Sequence, residues 1–294
     1  MDGTTKLNSP WDRNAESLGN VVELQHVNLQ VPDQLKATAF YISALGLTRD
    51  PYLMTGIDNM WANAGISQFH LPTGQAQVLR GTVGLVLPDR AQLLHRLDRS
   101  RRWLEGTHYA FEEAADHVAV TCPWGNRMRC HAPDAERFGR ISLGMPYVEF
   151  DVAPGTLDGI ARFYNQIVNA AATVQGNSVR VRVAREQYLV FRETDAPQPA
   201  FDGHHIQLAF VDFGGVYAKL AERGLITRED SEHQYRFIKV VDPDDNRVLF
   251  EVEHEIRSVT HPLFMRQIVN RNAGVTNNYY AAGHEAWTAA MPPA

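Results

Sequence analysis

His26-Val27-Asn28-Leu29-Gln30-Val31 alternates in character, so that Val27, Leu29 and Val31 share one face of an extended strand and His26, Asn28 and Gln30 share the other. The phrase returns three times, as Thr82-Val83-Gly84-Leu85-Val86-Leu87, Tyr147-Val148-Glu149-Phe150-Asp151-Val152 and His205-Ile206-Gln207-Leu208-Ala209-Phe210. Successive copies start 56 to 65 residues apart. That spacing gives each copy its own supersecondary unit and is too long for a thin solenoid. Only the first and last copies open on a histidine.

The residues downstream of each copy share a common plan. After Pro32-Asp33, the residues Leu35, Ala39, Phe40, Ile42 and Leu45 recur at helical spacing before Gly46, and Leu157, Ile160, Phe163-Tyr164, Ile167 and Val168 do the same in the third unit. The second and fourth units are looser, with Leu93, Leu94 and Leu97, and with Val216 and Leu220 before Gly224. Strands then read from the pattern on either side of Cys122-Pro123-Trp124-Gly125-Asn126 and of Asp242-Pro243-Asp244-Asp245-Asn246, two turns whose Pro, Gly, Asp and Asn suit tight reversals. The unit is strand, helix, then two or three strands.

With Phe40-Tyr41 on the helix, the exit Leu45-Gly46-Leu47 and the late hairpin Asp242 to Asn246, this plan resembles the vicinal oxygen chelate superfamily over about residues 22 to 256. That group includes glyoxalase I, bleomycin-resistance proteins and type I extradiol dioxygenases. The resemblance implies an α+β fold of four βαβββ modules forming two cupped mixed β-sheets with flanking helices. Two domains are expected, residues 22–140 and 141–256, with a lead-in at 1–21 and a tail at 257–294. In the tail, Pro262 to Val269 is expected as a short amphipathic helix, and the aromatic run Asn277 to Tyr280 with Trp287 as a surface packed over a cup mouth or on a partner subunit.

Composition narrows the class. A chain of 294 residues, 44% hydrophobic, can fill two cores. No apolar run reaches the length of a membrane span, and the N-terminus lacks a basic stretch followed by an apolar one. A cytoplasmic protein, monomeric or homodimeric, is expected. A net charge of −6 with both signs dispersed argues against nucleic acid; Arg96 to Arg102 is a local basic run that a solvated helix end explains. Cys122 and Cys130 are expected as reduced thiols. No phosphate-cradling Gly loop is present, so the expected partner is a small-molecule substrate without a nucleotide cofactor.

The resemblance also implies metal ligands on the opening and last strands of each contributing unit. The opening positions are His26, Thr82, Tyr147 and His205, of which only the two histidines suit a divalent ion. On the last strands, Ile66 to Leu71 nominates His70. In unit four the family's usual carboxylate position falls at Leu249, and Glu251, two residues on, projects from the same face; the run Val248-Leu249-Phe250-Glu251-Val252 also resembles the ligand strand of hydroxyphenylpyruvate dioxygenases. Units two and three offer Thr82, Arg129 or His131, Tyr147 and Arg192. Pairing unit one with unit four, as in fused glyoxalase I enzymes, gathers His26, His70, His205 and Glu251. Pairing neighbours, as in extradiol dioxygenases, instead leaves His26, His70 and His131 in one cup or Glu149, His205 and Glu251 in the other. The competing reading of any one of these histidines is a hydrogen-bonded strand residue.

Such a site, loaded with Fe, Mn, Zn, Ni or Co, points to a glyoxalase-like lyase or isomerase acting on a small oxygenated substrate through an enediolate, with Glu253 as the candidate general base. Two alternatives stand beside it. An Fe(II) extradiol-type dioxygenase fits the chain length, but its first ligand would fall at Tyr147, and it would need a His near Arg192 and a Tyr near Val241. A non-enzymatic binding or resistance protein would use aromatic walls such as Trp61, Trp124, Tyr147 and Phe191.

Overall fold

Each of the four phrases opens a unit in the computed structural model, which describes residues 17–53, 56–272 and the backbone of 287–288. Unit one holds β1 (Val21–Asn28), β2 (Thr48–Arg49), β3 (Asn59–Ala64) and β4 (Ser67–Pro72), and unit two β5 (Gly81–Val86), β6 (Ala110–Glu113), β7 (Val118–Thr121) and β8 (Arg127–His131). Unit three holds β9 (Gly144–Val152), β10 (Ala172–Gln175), β11 (Ser178–Arg182) and β12 (Tyr188–Glu193), and unit four β13 (His205–Phe210), β14 (Ile226–Ser231), β15 (Gln234–Val241) and β16 (Val248–Ser258). A helix follows the first strand of every unit.

The strands form two eight-stranded mixed sheets, ordered β14-β15-β16-β13-β1-β4-β3-β2 and β10-β11-β12-β9-β5-β8-β7-β6. Unit one therefore pairs with unit four, and unit two with unit three. The stretches 22–140 and 141–256 each send one unit to each sheet. At both centres the opening strands run antiparallel, Val27 opposite Ile206 and Val83 opposite Val148, while each opening strand runs parallel to the last strand of its own unit. An approximate twofold thus relates His26 to His205, and Thr82 to Tyr147.

Burial follows the alternation. Val27, Leu29, Ile206 and Leu208 are wholly inaccessible and pack against the helices. The helix pairs Phe40-Tyr41 and Phe163-Tyr164 are also fully buried, and each such side chain removed from water contributes about 1.5–3 kcal/mol. In both units the pair sits on a π-helical stretch, Thr38–Ala44 and Phe163–Val168, where a wider turn aims two adjacent rings at one core. The Asp242 to Asn246 reversal closes through Asn246 N–H to Asp242 O at 2.9 Å, with Asn246 at φ 59°. Cys122 and Cys130 are free and buried. No helix among the described residues is long and apolar enough to cross a membrane.

The tail departs from expectation at its start. Pro262 to Met265 forms turns and Arg266 to Ile268 runs on without a helix: Met265 takes φ 47° and Arg266 reaches Asp50 at 2.5 Å. This segment lies against the first sheet: Gln25 Nε2 donates to Leu263 O at 3.0 Å, and Asn270 Nδ2 to Gly65 O at 2.9 Å. Trp287–Thr288 pairs with Val269–Asn270; Asn277 to Tyr280 lie outside the described residues.

Candidate metal centre

Three of the four nominated ligands meet. Potential ligand atoms of His26, His70 and His205 all lie within 4.8 Å of one another, on the polar face of β1, β4 and β13. Trp61 stacks on His70, centroids 3.9 Å apart and planes 11° apart, and meets His26 edge-on at 5.0 Å. The fourth nominee, Glu251, is not brought there. Parallel register places His205 beside Glu253 and Gln207 beside Glu255, so at about 3.3 Å per residue Glu251 stands roughly 13 Å along the strand from Glu255. Its neighbour across the sheet is Lys239, and its carbonyl accepts from Arg80.

The carboxylate at the cluster is Glu255. Its Oε2 lies 3.3 Å from His205 Nε2. The twofold accounts for the placement: His26 pairs with Gln68 and His205 with Glu253, so two residues further on each last strand stand His70 and Glu255. His26, His70, His205 and Glu255 are thus two equivalent positions taken twice. Parity in the sequence puts Glu251, Glu253 and Glu255 on one face, and only the register across strands selects among them.

Hydrogen bonds fix which ring nitrogens face inward. Arg257 Nη1 donates to Gln25 Oε1 at 2.7 Å, which identifies that atom as the oxygen, and His26 Nδ1 donates to the same oxygen at 3.2 Å. A register shift between Leu24 and His26 brings Gln25 to this face. His205 Nδ1 faces Glu253 Oε2 at 3.2 Å, an oxygen that also takes Arg236 Nη1 at 2.8 Å. Both Nδ1 atoms being donors, His26 Nε2 and His205 Nε2 confront each other at 3.3 Å, a separation that two lone pairs hold only with a proton or a cation between them. His70 Nε2 is buried without a partner, as are both polar side-chain atoms of Gln207.

These distances fit a metal. Ligand atoms about 2.0–2.2 Å from one ion stand roughly 3.0–3.6 Å from each other, which spans the 3.3 Å separations from His205 Nε2 to His26 Nε2 and to Glu255 Oε2. Protonation states agree with that fit. Burial holds His26 well below its ordinary value and pushes His70 down to about 3, so both remain neutral donors of a lone pair. For Glu255 burial acts upward, but His205, whose Nε2 shares a proton with Oε2 unless a cation takes its place, and the charge of Arg257, whose Nη2 lies 2.7 Å from Oε1, keep the carboxyl well below the usual range. Glu253 is likewise held down, against burial, by His205 and Arg236, so its carboxylate is engaged in orienting His205 and is a weak base.

The second cup shows what the same positions hold without such ligands. The equivalents of His26, His70, His205 and Glu255 are Thr82, Arg129, Tyr147 and Val190. The buried Glu149 carboxylate there takes Arg129 Nη1 at 3.1 Å and Arg192 Nε and Nη2 at 3.0 Å each. His131 Nε2 accepts from Tyr147 Oη at 2.9 Å while its Nδ1 faces the Asp116 carbonyl at 3.2 Å. The Tyr147 ring lies over Gly84, where a Cβ would come within 2.4 Å of it. The neighbour of His205, His204, is a packing residue, wholly buried and held to Asp202 at 2.7 Å.

Comparison with known proteins bears on this arrangement. The sequence matches no protein-family profile. No curated protein matches it either. Among solved structures, a Bacillus subtilis protein with a provisional description as a dioxygenase superposes with TM-score 0.54 at 16% identity, covering 81% of this chain and 86% of the other. Glyoxalase I from Zea mays superposes with TM-score 0.52 at 12% identity, covering 80% of this chain and 92% of the enzyme, and a single-residue variant of that enzyme with TM-score 0.54 at 13% identity, covering 83% and 96%. Two cupped sheets of paired βαβββ units, matched along most of their length to structures of this kind, give the chain the fold of the vicinal oxygen chelate superfamily.

Proposed function

We propose that the first cup holds a divalent metal on His26, His70, His205 and Glu255 and that the protein is a metal-dependent lyase or isomerase of a small oxygenated substrate. The observation that carries this reading is the 3.3 Å confrontation of two Nε2 atoms whose Nδ1 atoms are both committed as donors. A bound ion would supply Lewis-acid stabilisation of charge on a substrate oxygen during proton transfer at the adjacent carbon. The chain's own residues prepare the site. Gln25 and Glu253 fix two imidazole tautomers, Trp61 holds the His70 ring, and Arg236 and Arg257 keep Glu255 ionised. Gln207, buried with both polar atoms unpartnered and beside Glu255 in register, is the residue placed to hold a substrate oxygen.

A second reading rests on a subset of these residues. His26, His205 and Glu255 alone make a two-histidine, one-carboxylate set, which suits Fe(II) and O2, leaving His70 as an acid–base group. Metal analysis of the purified chain, with activity assays in the presence and absence of O2, tests both. Stoichiometric Zn, Ni, Co or Mn with O2-independent turnover supports the lyase or isomerase; iron with O2-dependent turnover replaces it by the oxygenase. Absence of a stoichiometric ion, with none gained on reconstitution, overturns both in favour of a binding protein.

A further inference from the structure

The second cup has its own cavity, about 410 Å³ in volume, within the range of about 300–1,000 Å³ common for small-molecule sites. Its lining includes Arg129, Arg137, Arg180 and Arg192 against two carboxylates, Glu136 and Glu149. Glu149 is the buried one, its side chain 5% exposed, and it is shared by two guanidinium groups. One positive charge there is therefore left unbalanced. Arg180 adds another: its guanidinium lies 3.7 Å from the centroid of the Tyr188 ring and has no carboxylate at ion-pair distance among the described residues. A guanidinium held over an aromatic ring is attracted to the π-face while its N–H groups remain able to donate to another partner.

From this we infer that the second cup binds a small anion bearing carboxylate or phosphate groups, with Arg180 and Arg129 as recognition residues and Tyr147 beside them. The Glu149 carboxylate organises the floor: it fixes Arg129 and Arg192 in place, and two cations on one carboxylate leave donor capacity for an oxyanion entering the cavity. Arg129 stands where the metal cup has His70. The two cups thus differ in what equivalent positions offer: where the first presents the His70 lone pair to a cation, the second presents the Arg129 N–H donors to an anion. Anion binding here is independent of the metal.

The test is isothermal titration of the full chain at low ionic strength with inorganic phosphate and, separately, malonate. At least one should bind in a 1:1 ratio, and the stronger of the two identifies the headgroup. Arg180→Gln should weaken that binding about tenfold, the scale of one charge-assisted hydrogen bond. Arg101→Gln, the same charge change at an exposed site outside the cavity, should alter it less than about twofold. Removing metal with a chelator should leave the affinity unchanged. Failure of both probes to bind below about 10 mM, equal losses in the two variants, or loss of binding on chelation would each overturn the proposal. If Arg180→Gln does not fold, Arg180→Lys serves in its place: it keeps the charge and the volume but loses the planar fork, and should still weaken the binding more than Arg101→Gln does.

Discussion

The two cups share strand order, register and an approximate twofold, yet one converges acceptors and the other converges donors. In the first, four positions hold three imidazoles and a carboxylate whose free lone pairs meet. In the second, the same positions hold Thr82, Arg129, Tyr147 and Val190. The frame fixes where side chains point, and the chemistry at each point is then chosen residue by residue. A sheet can therefore be kept whole for its packing while one of its sites is rebuilt.

The sharpest way to break this contrast is at the histidines. His26→Ala or His205→Ala should lower metal affinity more than about a hundredfold, beyond the effect of losing an outer partner, whereas Arg192→Gln should leave metal stoichiometry unchanged; dialysis against limiting metal with elemental analysis reads both. Next comes the support of the imidazoles. Glu253→Gln should cost roughly ten- to a hundredfold in metal affinity by releasing His205, and a loss of activity at full metal occupancy would instead restore Glu253 as a base. In the second cup, Glu149→Gln leaves two guanidinium groups without their carboxylate and should destabilise the metal-free fold by about 2 kcal/mol, measured by chemical denaturation.

The smallest effect concerns Glu23, at the edge of the metal cup. Burial pushes its carboxyl up to about 7, against the Met265 amide and the charges of Arg257 and Arg266. The folded state thus holds this proton more tightly than the unfolded chain does. Its contribution to stability is complete below about pH 4.5 and is lost as pH rises through about 7. Glu23→Gln should flatten the stability profile between pH 5 and pH 8, by an amount on the order of 1 kcal/mol after solvent screening. An unchanged profile would place the titration elsewhere.

Much of this frame can be read from the four phrases, because alternation and turn chemistry are local properties. The grouping of units is not, since all four opening strands have the same parity and either pairing buries the same faces. Glu255 is hidden for a related reason. Glu251, Glu253 and Glu255 share a face, and the turns and loops between units differ in length, so counting from His205 does not give the register. One signal is present: the symmetric use of His70 asks for its counterpart two residues past the partner of His205, once that partner is known. The Pro262 to Val269 helix does not form because apolar spacing carries no tertiary context, and in the fold Asp50 draws Arg266 into the sheet.

The strand order β14-β15-β16-β13-β1-β4-β3-β2 has a consequence for the order of assembly. Units two and three are contiguous and can complete their sheet from a middle segment, whereas β1 must wait for β13, some 180 residues later, before its edge is covered. Like an outer pair of brackets, the metal cup closes last. Pulsed hydrogen exchange during refolding should therefore protect amides of β5 and β9 before those of β1 and β13, and simultaneous protection would refute it. During synthesis, the ligand set would be complete only once Glu255, 229 residues after His26, had emerged, and premature capture of metal by His26 and His70 alone would be limited to a two-ligand hold.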